Sequence, residues 1–528
     1  MTTIKVRKRR RLPRINLQDL EAEDPEVIPL KVPSGLVVEG HEYRFKVKPF
    51  AHQMAALRRA KLLNGGAMFM EQGTGKTAVA IHFIATNYIS RGRMESNGKS
   101  WSSGPDANRS PSFSKALIIC PVSTMGVWVK EIVKHLPQDV LSETTVYRLH
   151  GSRKTRINKI RAAIKKTGLR ICILNYESSW RLEDWIDRYS PDIVIIDESH
   201  RIKSARAKQS KAMWRIGFRA PKRLALTGTP IISGVHDLWS QWNFIDKKVF
   251  GDSWWRFQQE YLIKGGYLLK EIIGYRNLDT LKKKVRQNSF VITKEECLDL
   301  PEKIFQVIPV TLTSKSKKLY NEMAEKLVAE IEEGKISTAP IVLVKLLRLS
   351  QITGGFIKDL EGDIYDIGSE KLDICTELVE DRVGDGHKVV VFARFRHEIS
   401  RVAEELSKVG IESLVLTGSV KPIDRDDLID QFQSPEGPPV FISQIQAGSL
   451  GITLTAANTA IFYSRDYSLG NYLQAVDRLH RIGQTSKVTY LCLIVPHSID
   501  EIVHQNLKSK EELARFILKK PRAILLKD

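Results

Sequence analysis

"GGAMFMEQGTGKTAVAIHF", residues 65–83, joins an apolar run, a short glycine-containing turn and a helical stretch. The run does not alternate with polar residues, so it reads as a strand buried on both faces. Gly73 and Gly75 free the turn to wrap backbone N–H groups around phosphate oxygens. Lys76 is spaced to reach the β- and γ-phosphates of a nucleotide, and the Thr77 hydroxyl to ligate magnesium. Gln72 and Thr74 complete the nucleotide-binding run, and the helix that begins here adds its positive end. The pattern G-x-x-x-x-G-K-[ST] is met except at its first place, where Met70 stands for glycine.

Strand, loop and helix in that order are the unit of a parallel α/β sheet, and the unit recurs. "KALIICPV", "LRICILNY", "PDIVIIDES" and "KRLALTGTP" form one series of apolar runs; "HKVVVFARF", "IESLVLTGS", "PPVFISQI", "NTAIFYS" and "VTYLCLIV" form a second. The pattern predicts an α/β protein of two parallel-sheet lobes with helical insertions between them. Residues 41–235 are the expected first, nucleotide-binding lobe, and 236–304 a helical insertion and inter-lobe join. Residues 305–507 are the expected second lobe, with a helical insertion near 314–365. Strands fade over roughly 236–365. A basic arm (1–40) and a basic tail (508–528) flank the lobes, and the Ser-, Gly- and Asn-rich stretch 91–114 reads as a surface loop.

The composition narrows the class. At 528 residues, 42% hydrophobic and 27% charged, the chain suits two or three globular domains. No apolar run approaches a membrane span, and the charged start "MTTIKVRKRRRLPR" lacks the apolar stretch of a secretory signal. The five cysteines are dispersed, so neither a zinc site nor a disulfide framework is indicated. A net charge of +21 favours a polyanionic partner, most commonly nucleic acid, over mere solubility.

Asp197 ends the apolar run of "IVIIDESH", placed to hold magnesium, and Glu198 beside it is placed to orient an attacking water. Two acids after a strand also make a helix N-cap, but here they share a lobe with the glycine loop. Gln53, in "PFAHQMAAL", precedes the loop by a distance that suits contact with adenine. In "QAVDRLHRIGQ", residues 474–484, Arg478 and Arg481 stand three apart and on a helix share a face. They read either as a solvated face or as a grip on a polyanion. Gln474 and Gln484 read as fixing this helix or touching phosphate, and His480 as packed.

The ordered set "AHQ", "EQGTGKT", "DESH", "LTGTP", "QAGSLGITLTAAN" and "QAVDRLHRIGQ" resembles superfamily 2 helicases, and more narrowly the Swi/Snf-type ATPases, over about residues 45–505. The resemblance implies two RecA-like lobes with ATP and Mg2+ in the cleft, and tracking along duplex DNA, usually without strand separation. It implies that Gln53 reads adenine and that Gly73, Gly75, Lys76 and Thr77 hold phosphates. Thr227 and Thr229 would couple ATP state to lobe closure, and Gly448, Ser449 and Gly451 would line the cleft from the second lobe. Arg478 and Arg481 would then reach the γ-phosphate from that lobe. Two departures stand out: Leu469 replaces a tryptophan in "RDYSLGN", and Val291–Ile292 replace a pair of arginines in the join. Without accessory modules the chain reads as a bare motor, expected in the cytoplasm of a bacterial or phage-infected cell rather than in a nucleus.

Candidate DNA-phosphate contacts are backbone amides and polar groups near "CPVSTMGVW", Asn175–Tyr176, "HRIKS" and the "TGS" at 417–419, with Lys130, Arg201, Lys203 and Arg425 adding charge. Trp239, Trp242, Trp254 and Trp255 read as core or lobe-docking residues rather than a base-stacking platform. Two further functions fit the same motifs: a strand-separating DNA or RNA helicase, and a nucleic-acid-binding scaffold without turnover. The set Lys76, Asp197, Glu198, Arg478 and Arg481 argues against the scaffold, which needs none of it.

Overall fold

The computed structural model describes residues 36–38, 41–92, 113–265, 271–332, 339–359, 361–420, 422–446 and 452–518. The apolar runs form two wholly parallel sheets. The first contains β1 (Gly65–Met70), β2 (Lys115–Cys120), β3 (Thr144–Arg148), β4 (Leu169–Asn175), β5 (Ile193–Asp197), β6 (Lys222–Leu226) and β7 (Ser289–Ile292), in the order β7-β1-β6-β5-β2-β4-β3. The second contains β8 (Lys303–Pro309), β9 (Lys388–Ala393), β10 (Ser413–Leu416), β11 (Val440–Gln444), β12 (Ala457–Phe462) and β13 (Val488–Ile494), in the order β8-β13-β12-β9-β11-β10.

The inner strands of each sheet are buried on both faces, which explains the unbroken apolar runs, whereas the edge strands β3 and β8 are partly exposed. Along β1, Ala67 and Phe69 enter one cluster with Trp239, Trp242 and Ile216, while Met68 and Met70 enter another with Leu57, Ile81 and Trp128. Along β9, Val390 and Phe392 pack with Phe462 and Leu479, and Val389 and Val391 with Ile399 and Leu491. Met70 is fully buried at the end of β1. It sits in a regular strand, which needs no glycine.

The region where strands seemed to fade contains several. β7 pairs with β1 from Ser289↔Ala67 to Ile292↔Met70, so the chain returns to the first sheet before crossing to the second. Val291–Ile292, in place of the expected arginines, lie within this strand. Short antiparallel hairpins occur at Leu262–Gly265 with Glu271–Tyr275, and at Phe356–Lys358 with Ile364–Asp366.

Four helices position the site: α1 (Ala51–Lys61), α2 (Lys76–Gly92), α3 (Leu469–Leu479) and α4 (Ile499–Leu518). Residues 508–518, read as the start of a basic tail, are the last turns of α4. Val503 and Leu507 of α4 pack in the second lobe's core, whereas Ile517 is buried among first-lobe residues that include Leu281 and Val285. Of the arm 1–40, residues 36–38 form a strand paired antiparallel with His41–Tyr43, while 1–35 and 39–40 lie outside the described residues, as do 519–528 and most of 91–114. Among the described residues no helix is long and apolar enough to cross a membrane.

Candidate nucleotide and arginine site

In the first sheet β1, β6 and β5 are neighbours, so the turns leaving their carboxyl ends lie side by side, where open α/β sheets bind ligands. The first turn carries Gly73 and Gly75 at φ +82° and +87°. Both values are left-handed, and only glycine takes them without strain. Lys76 opens α2, and its Nζ donates to the carbonyl oxygens of Met70 (2.8 Å) and Glu71 (3.3 Å). Met70 thus serves the loop through its carbonyl.

α1 buttresses this turn. The His52 Nε2 donates to the Thr74 carbonyl at 2.8 Å, and the Gln53 Nε2 to the same oxygen at 3.2 Å. Gln53 Oε1 accepts from the Phe50 amide at 3.1 Å, so both ends of its amide are held. A Cβ on Gly75 would lie 2.1 Å from Gln53 Nε2, which brings the expected adenine reader directly against the phosphate loop. The Thr74 hydroxyl donates to the Glu71 carbonyl at 2.7 Å.

β5 delivers Asp197, whose Oδ2 accepts from Trp128 Nε1 at 3.0 Å. Glu198 has φ +53°, an uncommon setting for a non-glycine residue that a functional site can sustain. This bend brings its Oε2 to the Thr227 hydroxyl (3.2 Å) and His200 Nδ1 (3.3 Å). Burial, and then the charge of Glu198, raises the Asp197 carboxyl above its ordinary range. Burial also opposes charge on Glu198, but His200, Lys76 and Thr227 outweigh it and hold that carboxyl low. The neighbouring acids are thereby pushed apart, the usual sign of divided roles. Thr227 also accepts from the Thr229 amide at 3.1 Å, which ties "LTGTP" to Glu198.

The second lobe contributes α3 and the turn after it. The helix ends at Leu479, so Arg481 lies beyond it rather than on a shared helical face. The two arginines converge nonetheless: each donates Nη1 to the Ile452 carbonyl at 3.3 Å. A Cβ on Gly73 would meet Arg481 Cβ at 3.7 Å, so Arg481 packs against the phosphate loop of the other lobe. Burial and the nearby Arg481 push the Arg478 guanidinium down to about 10. Its Nε is buried and makes no hydrogen bond among the described residues, as is also true of the Thr229 hydroxyl.

These features fit a triphosphate with a hard cation. The loop needs glycine for its shape, a buried guanidinium retains an unused donor, and Thr77 and Asp197 offer oxygen ligands of the kind magnesium takes. Gln72 flanks the loop, half-buried. Gly448, Ser449 and Gly451 lie outside the described residues.

Other expectations fare unevenly. Tyr176 is fully buried and donates its hydroxyl to the Asp197 carbonyl at 2.6 Å, so it cannot touch DNA. Lys203 donates to the Ser233 hydroxyl, and Arg201 pairs with Glu177 at 3.7 Å. Asn175 donates to Glu177, and Thr417 and Ser419 share a hydrogen bond. Arg425 donates to the Val420 carbonyl, and exposed Lys130 faces Asp426 of the second lobe at 3.9 Å. Trp239 and Trp242 are core residues and Trp254 is half-buried between Trp239 and Phe257, but Trp255 is 67% exposed, contrary to the packed reading. His480 is packed, with Nε2 donating to the Pro301 carbonyl at 2.7 Å. Gln484 Nε2 donates to the Ala457, Leu479 and Thr455 carbonyls, fixing the turn. Trp128, His52, His200 and Lys294 join the site without having been singled out by the sequence.

The family described as the SNF2-related domain matches residues 51–353, and the helicase conserved C-terminal domain matches 370–483. An uncharacterized ATP-dependent helicase of Mycoplasma genitalium is 28% identical over 86% of this chain and 40% of its own length. A SWI/SNF chromatin-remodeling complex subunit of Schizosaccharomyces pombe is 27% identical over 85% of this chain and 26% of its own. The chain spans less than two thirds of the length of either relative. A Sulfolobus solfataricus SWI2/SNF2 ATPase core, solved in complex with dsDNA, is similar at 23% identity and TM-score 0.39, covering 91% of this chain and 98% of that one. With a phosphate loop in one lobe, arginines from the other and both domain matches in that order, the chain belongs to the Swi/Snf-type family of helicase-like ATPases.

Proposed function

We propose that the protein hydrolyses ATP in the cleft between its lobes and uses the cycle to translocate on duplex DNA. The observation that carries this reading is the approach of Arg481, with Arg478 beside it, to the phosphate loop from the opposite lobe. The loop amides and Lys76 bind the β- and γ-phosphates, and Gln53 contacts adenine. Thr77 and Asp197 would hold magnesium, which supplies positive charge to the phosphate oxygens when bound. Glu198, kept ionised by His200 and Lys76, orients the attacking water and takes up its proton. Arg478 and Arg481 stabilise charge on the transferred phosphoryl group, an effect of about 10³–10⁵ in rate for an arginine finger.

The same geometry supplies the coupling. Two cationic arms gain from closing on a triphosphate and lose part of that gain once the γ-phosphate leaves. If each lobe grips the DNA backbone, alternating closure and opening becomes a step. The surplus of 82 Lys plus Arg over 61 Asp plus Glu suits such a backbone. A triplex-displacement assay tests the reading. ATP-dependent release of a third strand from intact duplex supports translocation; separation of a forked duplex points to an unwinding helicase; DNA binding without ATP turnover leaves a scaffold.

A further inference from the structure

Lys294 follows β7 by two residues and begins a one-turn helix (Lys294–Cys297) whose start is capped by Thr293 and Glu296. Its side chain is 1% exposed, a rare state for lysine. The ammonium is ion-paired with Asp477 and donates to the His480 carbonyl at 2.6 Å. The Lys294 amide donates to Glu71 Oε2 at 2.8 Å, at the start of the phosphate loop. A Cβ on Gly73 would lie 3.7 Å from Lys294 Cε, the same distance as from Arg481 Cβ. From the inter-lobe join, this one residue therefore touches both the phosphate loop and the end of α3, where Arg478 lies in the last helical turn and Arg481 just beyond it.

The end of α3 and the turn after it are held at two positions, 477 and 480. Asp477 and the His480 carbonyl are bound by Lys294, and the His480 ring is bound by the Pro301 carbonyl. Arg478 and Arg481 project from between and beside these anchors. A lysine suits the task because one compact ammonium has three donors and can serve a carboxylate and a carbonyl together. Stability alone gives little reason to bury an ion pair, since apolar residues of similar volume often do as well or better.

We propose that Lys294 is a positioning residue for hydrolysis: by clamping Asp477 and the His480 carbonyl it sets Arg478 and Arg481 over the phosphate loop. The inference rests on the proposed ATPase function and concerns how its two half-sites are aligned. The test compares full-length wild type, Lys294→Met, Arg481→Ala, their combination, and the double variant Lys294→Met/Asp477→Leu, which removes both buried charges. Melting temperature, affinity for a fluorescent ATP analogue and DNA-stimulated kcat are measured on each.

Lys294→Met should bind the analogue within about threefold of wild type yet lose about 10²-fold in kcat, the scale of an ångström-sized misplacement. Its loss and that of Arg481→Ala should be strongly non-additive, because the two act through one group. Lys294→Met/Asp477→Leu should recover melting temperature without recovering kcat, and it carries the test if the single variant folds poorly. Recovery of kcat together with melting temperature, or near-normal kcat in folded Lys294→Met, overturns the positioning role. Wild type that fails to hydrolyse ATP would instead overturn the functional reading beneath it.

Discussion

Replacing Gly75 by alanine puts the closeness of α1 and the phosphate loop to a quantitative test. At φ +87° an alanine costs about 1–2 kcal/mol in backbone strain. Its Cβ would also stand 2.1 Å from Gln53 Nε2 and 3.1 Å from Cδ, so Gln53 must leave. Leaving breaks its hydrogen bonds to the Thr74 carbonyl and from the Phe50 amide, worth about 1 kcal/mol each. Gly73→Ala is the matched control: φ is +82°, but its Cβ would meet only ordinary contacts at 3.7 Å. The strain terms nearly cancel, leaving about 2 kcal/mol of folding stability between the two, which chemical denaturation reads. Titrating both variants with fluorescent adenine and guanine nucleotides reads the consequence for the base. Gly75→Ala should bind the adenine nucleotide more weakly than Gly73→Ala, because its Gln53 is displaced. It alone should lose preference over guanine, and adding Gln53→Ala should change little. Equal affinities, or an intact base preference in Gly75→Ala, would refute the assignment of Gln53.

Other expectations concern separate parts of the molecule. Arg478→Ala and Arg481→Ala should each keep ATP affinity within a few-fold while turnover falls by about 10³–10⁵; rapid-quench hydrolysis at near-normal rates would remove them from the site. Six to ten phosphate contacts would weaken DNA binding by about 10³–10⁵ between about 50 and 200 mM salt with little sequence preference, and a flat salt response in an anisotropy titration would count against a backbone grip. Burial raises the Glu398 carboxyl to about 7, despite hydrogen bonds from Ser464 and the Phe395 amide. Because the folded pKa exceeds the unfolded value, this group's contribution is full below pH about 4 and is lost as pH rises through about 7, a change on the order of 3 kcal/mol. Chemical denaturation from pH 5 to 8 should show that decline in wild type and a flatter profile in Glu398→Gln; parallel profiles would contradict it.

The sheets were legible because strands buried on both faces leave unbroken apolar runs, as in "VIIDE" and "KVVVFA". The loop was legible because its glycines and Lys76 are local in sequence. β7 was not: it has four residues, Ser289–Ile292, and exists through its pairing with β1. Three-residue spacing placed Arg478 and Arg481 on one helix, yet the helix stops at Leu479 and Gly483 lies at φ +101°. Their convergence comes from the Ile452 carbonyl, which no periodicity predicts. Lys294 and Asp477 are 183 residues apart, so their pairing left no local signal. Trp128 and His200 matter only through what β5 and β6 bring beside them. Tyr176 shows the reverse: a residue placed by motif on the DNA side is committed to the core.

Steady-state ATP turnover of the wild-type chain and Arg481→Ala, measured without nucleic acid and with duplex DNA, single-stranded DNA and RNA in parallel, bears most directly on a cleft completed by both lobes. Wild type should be stimulated most by duplex, and Arg481→Ala should stay near the unstimulated rate with every polymer. Equal stimulation of the two proteins by duplex DNA would mean that the second lobe does not complete the site.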